Sequence, residues 1–287
     1  MNFNNVFEQS IMNPTFIFVD GSYYSFHRYY ALTKWWKIAF PDEPLTDPIN
    51  NATFVNKFRN TFVKNLKEMP RRLKINKKTT PIMILGKDCK RRDIWRNELC
   101  STSEVFNGEY KGNRKTEGFM GLPLFKLVQD EDLFVKGGIM ATLKHTKLEA
   151  DDCIAISVKY VLEKYPTCKI YIMTSDKDYL QLAEERVEIY NLSYKKITDL
   201  KSCSKNAKYD LFYKIIMGDP SDNIKPIFKN CGPKTTLKYF ENPEYFEECL
   251  KKENAHESYL LNKKLVDFNE IPTNLVNEFI QMCIKCN

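Results

Sequence analysis

The chain of 287 residues has no apolar run approaching the ~20 residues a membrane-spanning helix needs, which excludes that kind of anchor. Its N-terminus, "MNFNNVFEQSIMNPTF", lacks a basic segment followed by a long apolar stretch, so no secretory signal is expected. Histidine is scarce: His27, His145 and His256 are the only three. A single C-x-x-C pair, Cys283 and Cys286, stands at the far C-terminus without the two further ligands a zinc site requires. The nine cysteines are odd in number and scattered, and Cys153, Cys168 and Cys249 sit inside apolar patterns. That usage fits reduced thiols in a cytosolic compartment. There is no internal repeat and no low-complexity tract.

What is present is an ordinary globular composition, 43% apolar and 28% charged, long enough for one large domain or two modest ones. The net charge of +7 is unevenly spread. Residues 57–78 carry Lys57, Arg59, Lys64, Lys67, Arg71, Arg72, Lys74, Lys77 and Lys78 against one acid, Glu68, and further basic stretches cover 87–96 and 111–115. A solvated helix face explains such charge as readily as a polyanionic partner does.

Thr15-Phe-Ile-Phe-Val-Asp20 is a continuous apolar run, as expected of a strand covered on both sides. A helical, aromatic-rich stretch follows to about Ile38, and 52–68 repeats apolar residues at helical spacing. Pro81–Gly86, Lys169–Met173 and Val187–Leu192 read as further strands, and Gly137–Met140 as a short one. Residues 89–118 read as a mobile or partly helical insertion, 119–134 as a helix broken near Pro123, and 151–165 as a clear helix. Tyr179–Glu185 reads as a short helix. Beyond about Lys205 only helical patterns remain, at 208–217, 233–241, 244–252 and from 256 on. The expected fold is α/β, with a mostly parallel sheet flanked by helices over 1–205 and a helical part over 206–287.

Acids gather at the strand ends. Asp20 closes the first strand, Asp88 lies two residues past the second, Asp176 and Asp178 follow the third, and Glu149, Asp151 and Asp152 open the long helix. Singly, each is adequately explained as a turn or helix-capping residue. Ligands of an open parallel sheet, however, bind beyond the carboxyl ends of its strands. Seven acids converging there would raise one another's pKa unless something positive compensates. With so little histidine, that set suits hard, oxygen-preferring Mg²⁺ or Mn²⁺. Paired ions of this kind, ~3.5–4 Å apart, stabilise the attacking and leaving oxygens of phosphoryl transfer. Further on, Gly232-Pro233-Lys234-Thr235 reads as a helix start whose N–H groups, with the Lys234 charge and the Thr235 hydroxyl, would receive a phosphate.

Several motifs in register resemble the 5′-nuclease family, the flap endonucleases and 5′→3′ exonucleases. They are "FVDGS" (18–22), "EYKGNR" (109–114), "EADD" (149–152), "SDKDYLQL" (175–182) and "GDPSDNI…GPKT" (218–235). The resemblance spans about 15–241 and implies a PIN-like sheet, a basic arch near 89–118 and a helix–turn–helix that grips duplex DNA. It implies a two-metal nuclease whose ligands are Asp20, Asp88, Glu149, Asp151, Asp152, Asp176, Asp178, Asp219 and Asp222. The first, second, third and fourth of these would lie nearer one ion, and Asp176, Asp178 and Asp219 nearer the other. Lys111 and Arg114 would meet the scissile phosphate, and Phe26, Arg28, Tyr110, Gly232, Lys234 and Thr235 the DNA. A K⁺ ion at the helix–turn–helix is also implied. There the glycine-rich pattern of relatives is replaced by Lys229-Asn230-Cys231-Gly232, with Asn230 in place of a glycine.

The implied activity is hydrolysis of DNA at single-strand/double-strand junctions (5′ flaps, nicks and ends) in replication, repair or recombination, by a monomer without a membrane partner, in the cytoplasm or at the site of DNA replication. The C-terminal "NEFIQMCIKCN" carries no persuasive sliding-clamp motif. Two rivals are a PIN-type or 5′→3′ exoribonuclease acting on RNA and a catalytically silent DNA-binding or scaffold subunit.

Overall fold

In the computed structural model of the protein, residues 13–106, 108–114 and 118–285 are described; of Ile284 and Lys285 only the backbone is. Lys115 and Cys286, both within stretches weighed above, lie outside the described residues. Strand β1, Thr15–Asp20, leads directly into helix α1, Gly21–Ala39, and α2 follows at Ala52–Arg72. Next come β2, Ile82–Gly86, α3, Trp95–Thr102, α4, Leu122–Asp130, α5, Leu133–Lys136, and β3, Ala141–Leu143. Helix α6, Ala150–Lys164, precedes β4, Lys169–Met173, and β5, Val187–Tyr190. The rest is helical: α7, Ala207–Met217, α8, Pro233–Glu241, α9, Pro243–Lys252, α10, His256–Val266, and α11, Thr273–Lys285.

All five strands are parallel, in the order β3-β2-β1-β4-β5. The chain runs outward from β1 to one side, then returns to place β4 on the other. Such a reversal opens a crevice at the carboxyl ends of β1 and β4. The continuous apolar character of β1 follows from its central place. Phe16 and Phe18 face a core shared with α6 and α11, while Ile17 and Val19 face a second core built from Phe54, Phe58 and Phe62 of α2 and from α1. Close approach of the start of α1 to the end of β2 requires glycine: a Cβ on Gly21 would stand 2.7 Å from the carbonyl oxygen of Gly86.

Several sequence readings shift in detail. Pro123 opens α4 instead of breaking a helix, because a proline in the first turn has no N–H to lose there. The short strand falls at Ala141–Leu143, just after the glycines that suggested it. The stretch after Asp176 is a 3₁₀ turn, Lys177–Leu182. Within 89–118, residues 91–93 form a 3₁₀ turn and α3 packs inward through Trp95, Arg96 and Cys100. From the C-terminal helical part, Phe268, Ile271, Leu275 and Phe279 join the core beneath α6. Around the segment read as a helix–turn–helix, α7 ends at Met217, a 3₁₀ turn follows at Pro220–Asp222, and α8 begins at Pro233.

Candidate active site

The sheet delivers the acids to one rim. Asp20 ends β1 and caps α1, its Oδ1 accepting from the Tyr23 N–H at 2.9 Å and its Oδ2 from the Thr174 hydroxyl at 3.3 Å. Asp88 accepts from the Ala150 N–H at 2.8 Å and from the Ser22 hydroxyl. Glu149 caps α6 in a reciprocal box with Asp152. Asp176 caps the 177–182 turn. Asp20, Asp88, Glu149, Asp151 and Asp176 thereby line a cleft of about 290 Å³, with Lys111, Arg114 and Phe26 in the same walls.

A second group lies beside it. Ligand-capable oxygens of Asp178, Asp219 and Asp222 fall within 4.8 Å of one another, as do those of Glu149, Asp151 and Asp152. Lys214 of α7 holds the first of these groups together, its ammonium meeting Asp178 and lying 2.8 Å from Asp219. Asp222 is held by Arg114, by Lys111 at 3.7 Å and by the Tyr110 hydroxyl at 3.2 Å. Gly218 makes the turn before these acids possible, since its φ is 68° and a Cβ would meet the Ile224 carbonyl oxygen at 2.4 Å.

The electrostatics of the rim reflect this crowding. Burial, and then the charge of Asp88, push Asp20 up to about 7. Burial and Asp176 do the same to Asp178, which also reaches about 7 despite the opposing Lys214. Burial, with Asp152 and Glu149, carries Asp151 well above the carboxylate range. Asp219 moves the other way: burial alone would raise it, but Lys214 and Ser221 bring it down to about 2. Burial alone would lower the Lys111 ammonium's pKa, yet the surrounding carboxylates of Glu149, Asp151 and Asp222 outweigh it and raise it above the ordinary value.

These donors fit a hard divalent cation. They are oxygens only, burial and neighbouring carboxylates raise Asp20 and Asp178 to about 7, and one orphan lies among them. The orphan is the buried Tyr179 hydroxyl, which has no hydrogen-bond partner; burial, then the charges of Asp20, Asp151 and Asp176, push its phenol well above the ordinary value.

Some expected residues stand elsewhere. Asp152 is 0% exposed, and its oxygens are already taken. Arg96 donates to both of them, at 2.8 Å each, while the Trp95 indole and the Glu149 N–H donate to Oδ2 at 3.0 and 3.2 Å. Tyr110, expected at the DNA, is buried beneath the cleft and donates to Glu149 and Asp222. Arg28 is half-buried on α1, its Nε without a partner, beside Tyr24, Arg72 and Tyr194. Lys234 is exposed and Thr235 half-buried in the first turn of α8, outside the walls of the cleft, as is Gly232. Asn230 does adopt the left-handed conformation, with φ 62°.

Sequence reasoning missed four supporting residues: Ser22, Thr174, Lys214 and Arg96. Lys214 had one usable signal, its place five residues before Asp219 at the end of a helix. Arg96 had none, since it was counted among the basic residues of 87–96 although it is 2% exposed and fully paired.

Among the described residues no helix is long and apolar enough to cross a membrane. Residues 15–210 match the family model described as the 5′-3′ exonuclease N-terminal resolvase-like domain. A 5′-3′ exonuclease of Mycoplasmopsis pulmonis is 27% identical over 296 residues, covering 95% of this chain and 86% of that one. A 5′-3′ exonuclease of Buchnera aphidicola subsp. Acyrthosiphon pisum is 29% identical over 233 residues, covering 79% and 70%. Ribonuclease H of Enterobacteria phage T4 is 31% identical over 150 residues, covering 47% and 48%. In fold, the chain resembles a bacteriophage T5 flap endonuclease crystallised with DNA and metal ions, at a TM-score of 0.61 and 18% identity, over 94% of this chain and 98% of that one. It likewise resembles a zinc-bound T5 5′-exonuclease, at 0.58 and 17%, with 94% and 98% covered. With a family model matching residues 15–210 of its 287, and an all-parallel sheet that brings the acids of four separate segments to one rim, the chain belongs to the 5′-3′ exonuclease family.

Proposed function

We propose that this protein is a structure-specific 5′ nuclease that hydrolyses DNA phosphodiesters at single-strand/double-strand junctions, using two divalent cations. The observation that carries the reading is the shared cleft of Asp20, Asp88, Glu149, Asp151 and Asp176 with Lys111 and Arg114. Carboxylates alone would repel a phosphodiester; the same set with cations among them, and with two basic side chains in its wall, receives one.

In this reading Asp20, Asp88, Glu149 and Asp151 hold one cation and Asp176, Asp178 and Asp219 the other, with Asp222 joining them through Lys111 and Arg114. Mg²⁺ or Mn²⁺ supplies charge neutralisation and Lewis acidity at the reacting phosphorus when bound. The protein's own groups do the rest. Lys111 and Arg114 neutralise charge that develops on the transferring phosphoryl. Ser22 and Thr174, bonded to Asp88 and Asp20, fix the orientation of those carboxylates. Asp20 and Asp178 give up their protons as cations enter, so occupancy rises with pH. Asp152 acts by anchoring Glu149 through Arg96. Lys234 and Thr235 at the start of α8 would take a duplex phosphate, with K⁺ at the preceding turn.

Product mapping on 5′-flap, nicked, blunt and single-stranded DNA with Mg²⁺ tests the reading. Cleavage at or near the junction, lost in Asp176→Asn with DNA binding retained, is expected. Full activity of that variant removes the cleft from the chemistry. The likeness to T4 ribonuclease H favours a second reading, in which the strand cut is RNA. Matched DNA and RNA flaps separate the two.

A further inference from the structure

The 3₁₀ turn Arg91–Asp93 begins three residues past Asp88, and the catalytic reading gives its first residue no task. By charge alone Arg91 belongs with the basic residues of 87–96 that a phosphate would meet. The structure uses it otherwise. Arg91 is not among the residues that line the carboxylate cleft. Its guanidinium is turned to backbone: Nη1 donates to the Arg114 carbonyl at 3.1 Å, and Nη2 donates to the Lys111 carbonyl. Those carbonyls belong to the two residues whose cationic side chains stand in the cleft wall. The turn that carries them, 109–114, is tight. The Gly112 N–H donates to the Glu109 carbonyl at 2.9 Å and the Arg114 N–H to the Lys111 carbonyl at 3.0 Å, while Lys111 holds a left-handed φ of 57°. That conformation is uncommon for a residue with a side chain, so the surroundings must impose it.

The 219–223 turn supplies part of the hold. The Lys111 N–H donates to the Asp222 carbonyl at 3.0 Å, and the Asn223 side-chain amide donates to the Glu109 carbonyl at 3.0 Å. Arg91 reaches the same turn from the segment after β2. Its own place is set by α3, where the Asn97 side-chain amide donates to the Arg91 carbonyl at 2.7 Å. A guanidinium suits the task, since its planar fork presents N–H groups to two acceptors at once and never loses its charge. We propose that Arg91 is a positioning residue: it fixes the two carbonyls so that the Lys111 ammonium and the Arg114 guanidinium stay aimed into the cleft. The inference rests on the nuclease reading above. The same contacts tie the segment that carries Asp88 to the turn that carries both cationic side chains, so the acids and the phosphate-facing charges keep one register. Arg91 therefore acts on the phosphate only through Lys111 and Arg114.

Three measurements on the full-length protein test it: single-turnover cleavage of a 5′ flap at saturating DNA in Mg²⁺, flap binding in Ca²⁺ across a salt series, and amide hydrogen exchange of 109–114 without DNA. Arg91 is exposed, so Arg91→Ala leaves the core intact. That variant should cleave roughly 10- to 100-fold more slowly, the scale of a reacting group misplaced by about 1 Å. Its salt slope should match the wild type, and exchange at 109–114 should quicken. Arg91→Lys keeps the charge and loses the fork, and should recover part of the rate and part of the protection. Added to Lys111→Ala/Arg114→Ala, the same Arg91→Ala change should alter the residual rate by no more than about 2-fold, because the side chains it positions are gone. A salt slope lowered by about one unit with exchange unchanged overturns the inference and makes Arg91 a phosphate contact. The full single-variant loss repeated in the double background overturns it too. If the wild type cleaves flaps while Arg91→Ala changes neither rate nor exchange, the positioning role falls and the nuclease stands. If the wild type cleaves no nucleic acid while exchange quickens in Arg91→Ala and is partly restored in Arg91→Lys, the nuclease falls and the hold on the turn stands.

Discussion

Arg96 offers the sharpest test of how the rim is held. Its guanidinium donates to both oxygens of Asp152, to Glu149 at 3.2 Å and to the Leu265 carbonyl at 2.8 Å, and it lies 4.5 Å from the Trp95 ring. Replacing it with methionine keeps most of the packing volume but leaves Asp152 buried without its counter-charge and Glu149 with Lys111 alone. Removing one side of such a buried pair costs about 3–5 kcal/mol. At roughly 2–4 °C of midpoint per kcal/mol, a fall of about 6–20 °C is expected. Thermal unfolding followed by circular dichroism in EDTA measures it. Arg96→Met combined with Asp152→Leu should recover a large part of the loss, because an apolar pair tolerates burial where a lone carboxylate does not. Manganese binding gives a second readout: Asp152→Asn should keep most of its Mn²⁺ affinity while Asp151→Asn loses it. An Arg96→Met variant within ~0.5 kcal/mol of the parent, the range of an ordinary surface change, would refute the anchoring role.

Three further outcomes are expected. Without metal, stability should fall as pH rises from about 4 to 7, because Asp20 and Asp178 at about 7 bind more protons in the folded state than in the unfolded chain, and Mg²⁺ should reverse the trend at pH 8; midpoints that are flat in EDTA from pH 5 to 8 would contradict it. Asp219, held down to about 2, contributes the opposite slope at the acid end, its stabilisation disappearing as pH falls from about 4 through 2. Lys111→Ala should slow single-turnover cleavage at saturating DNA by about 10²–10³-fold, on the scale of one lost electrostatic donor; a pure affinity loss with the rate intact would remove it from the reacting phosphate. Lys234→Ala should lower the salt dependence of duplex binding by about one unit of slope, and an unchanged slope would take it out of the interface.

The sequence alone determined the sheet and its acids. Continuous apolar runs at 15–20, 82–86 and 169–173 read as parallel strands covered on both sides, and an aspartate at or shortly beyond the end of each falls at the carboxyl rim. Local rules likewise placed the helix starts at Glu149 and Pro233. What the tertiary structure decided is which charges meet. Arg96 and Asp152 are 56 residues apart, Lys111 and Asp222 are 111 apart, and no local pattern couples either pair. Arg96 therefore read as one basic residue among many, when it is the buried counter-charge of the α6 acids. Tyr110 read as a DNA contact but is a buried donor, because the chain folds back beneath the 219–222 turn. A cleft of about 300 Å³ between α1, β2, β3, α4 and α5 was invisible for the same reason: only sheet order and helix packing bring those five elements together. Periodicity records which face of an element is covered; it carries no record of what covers it.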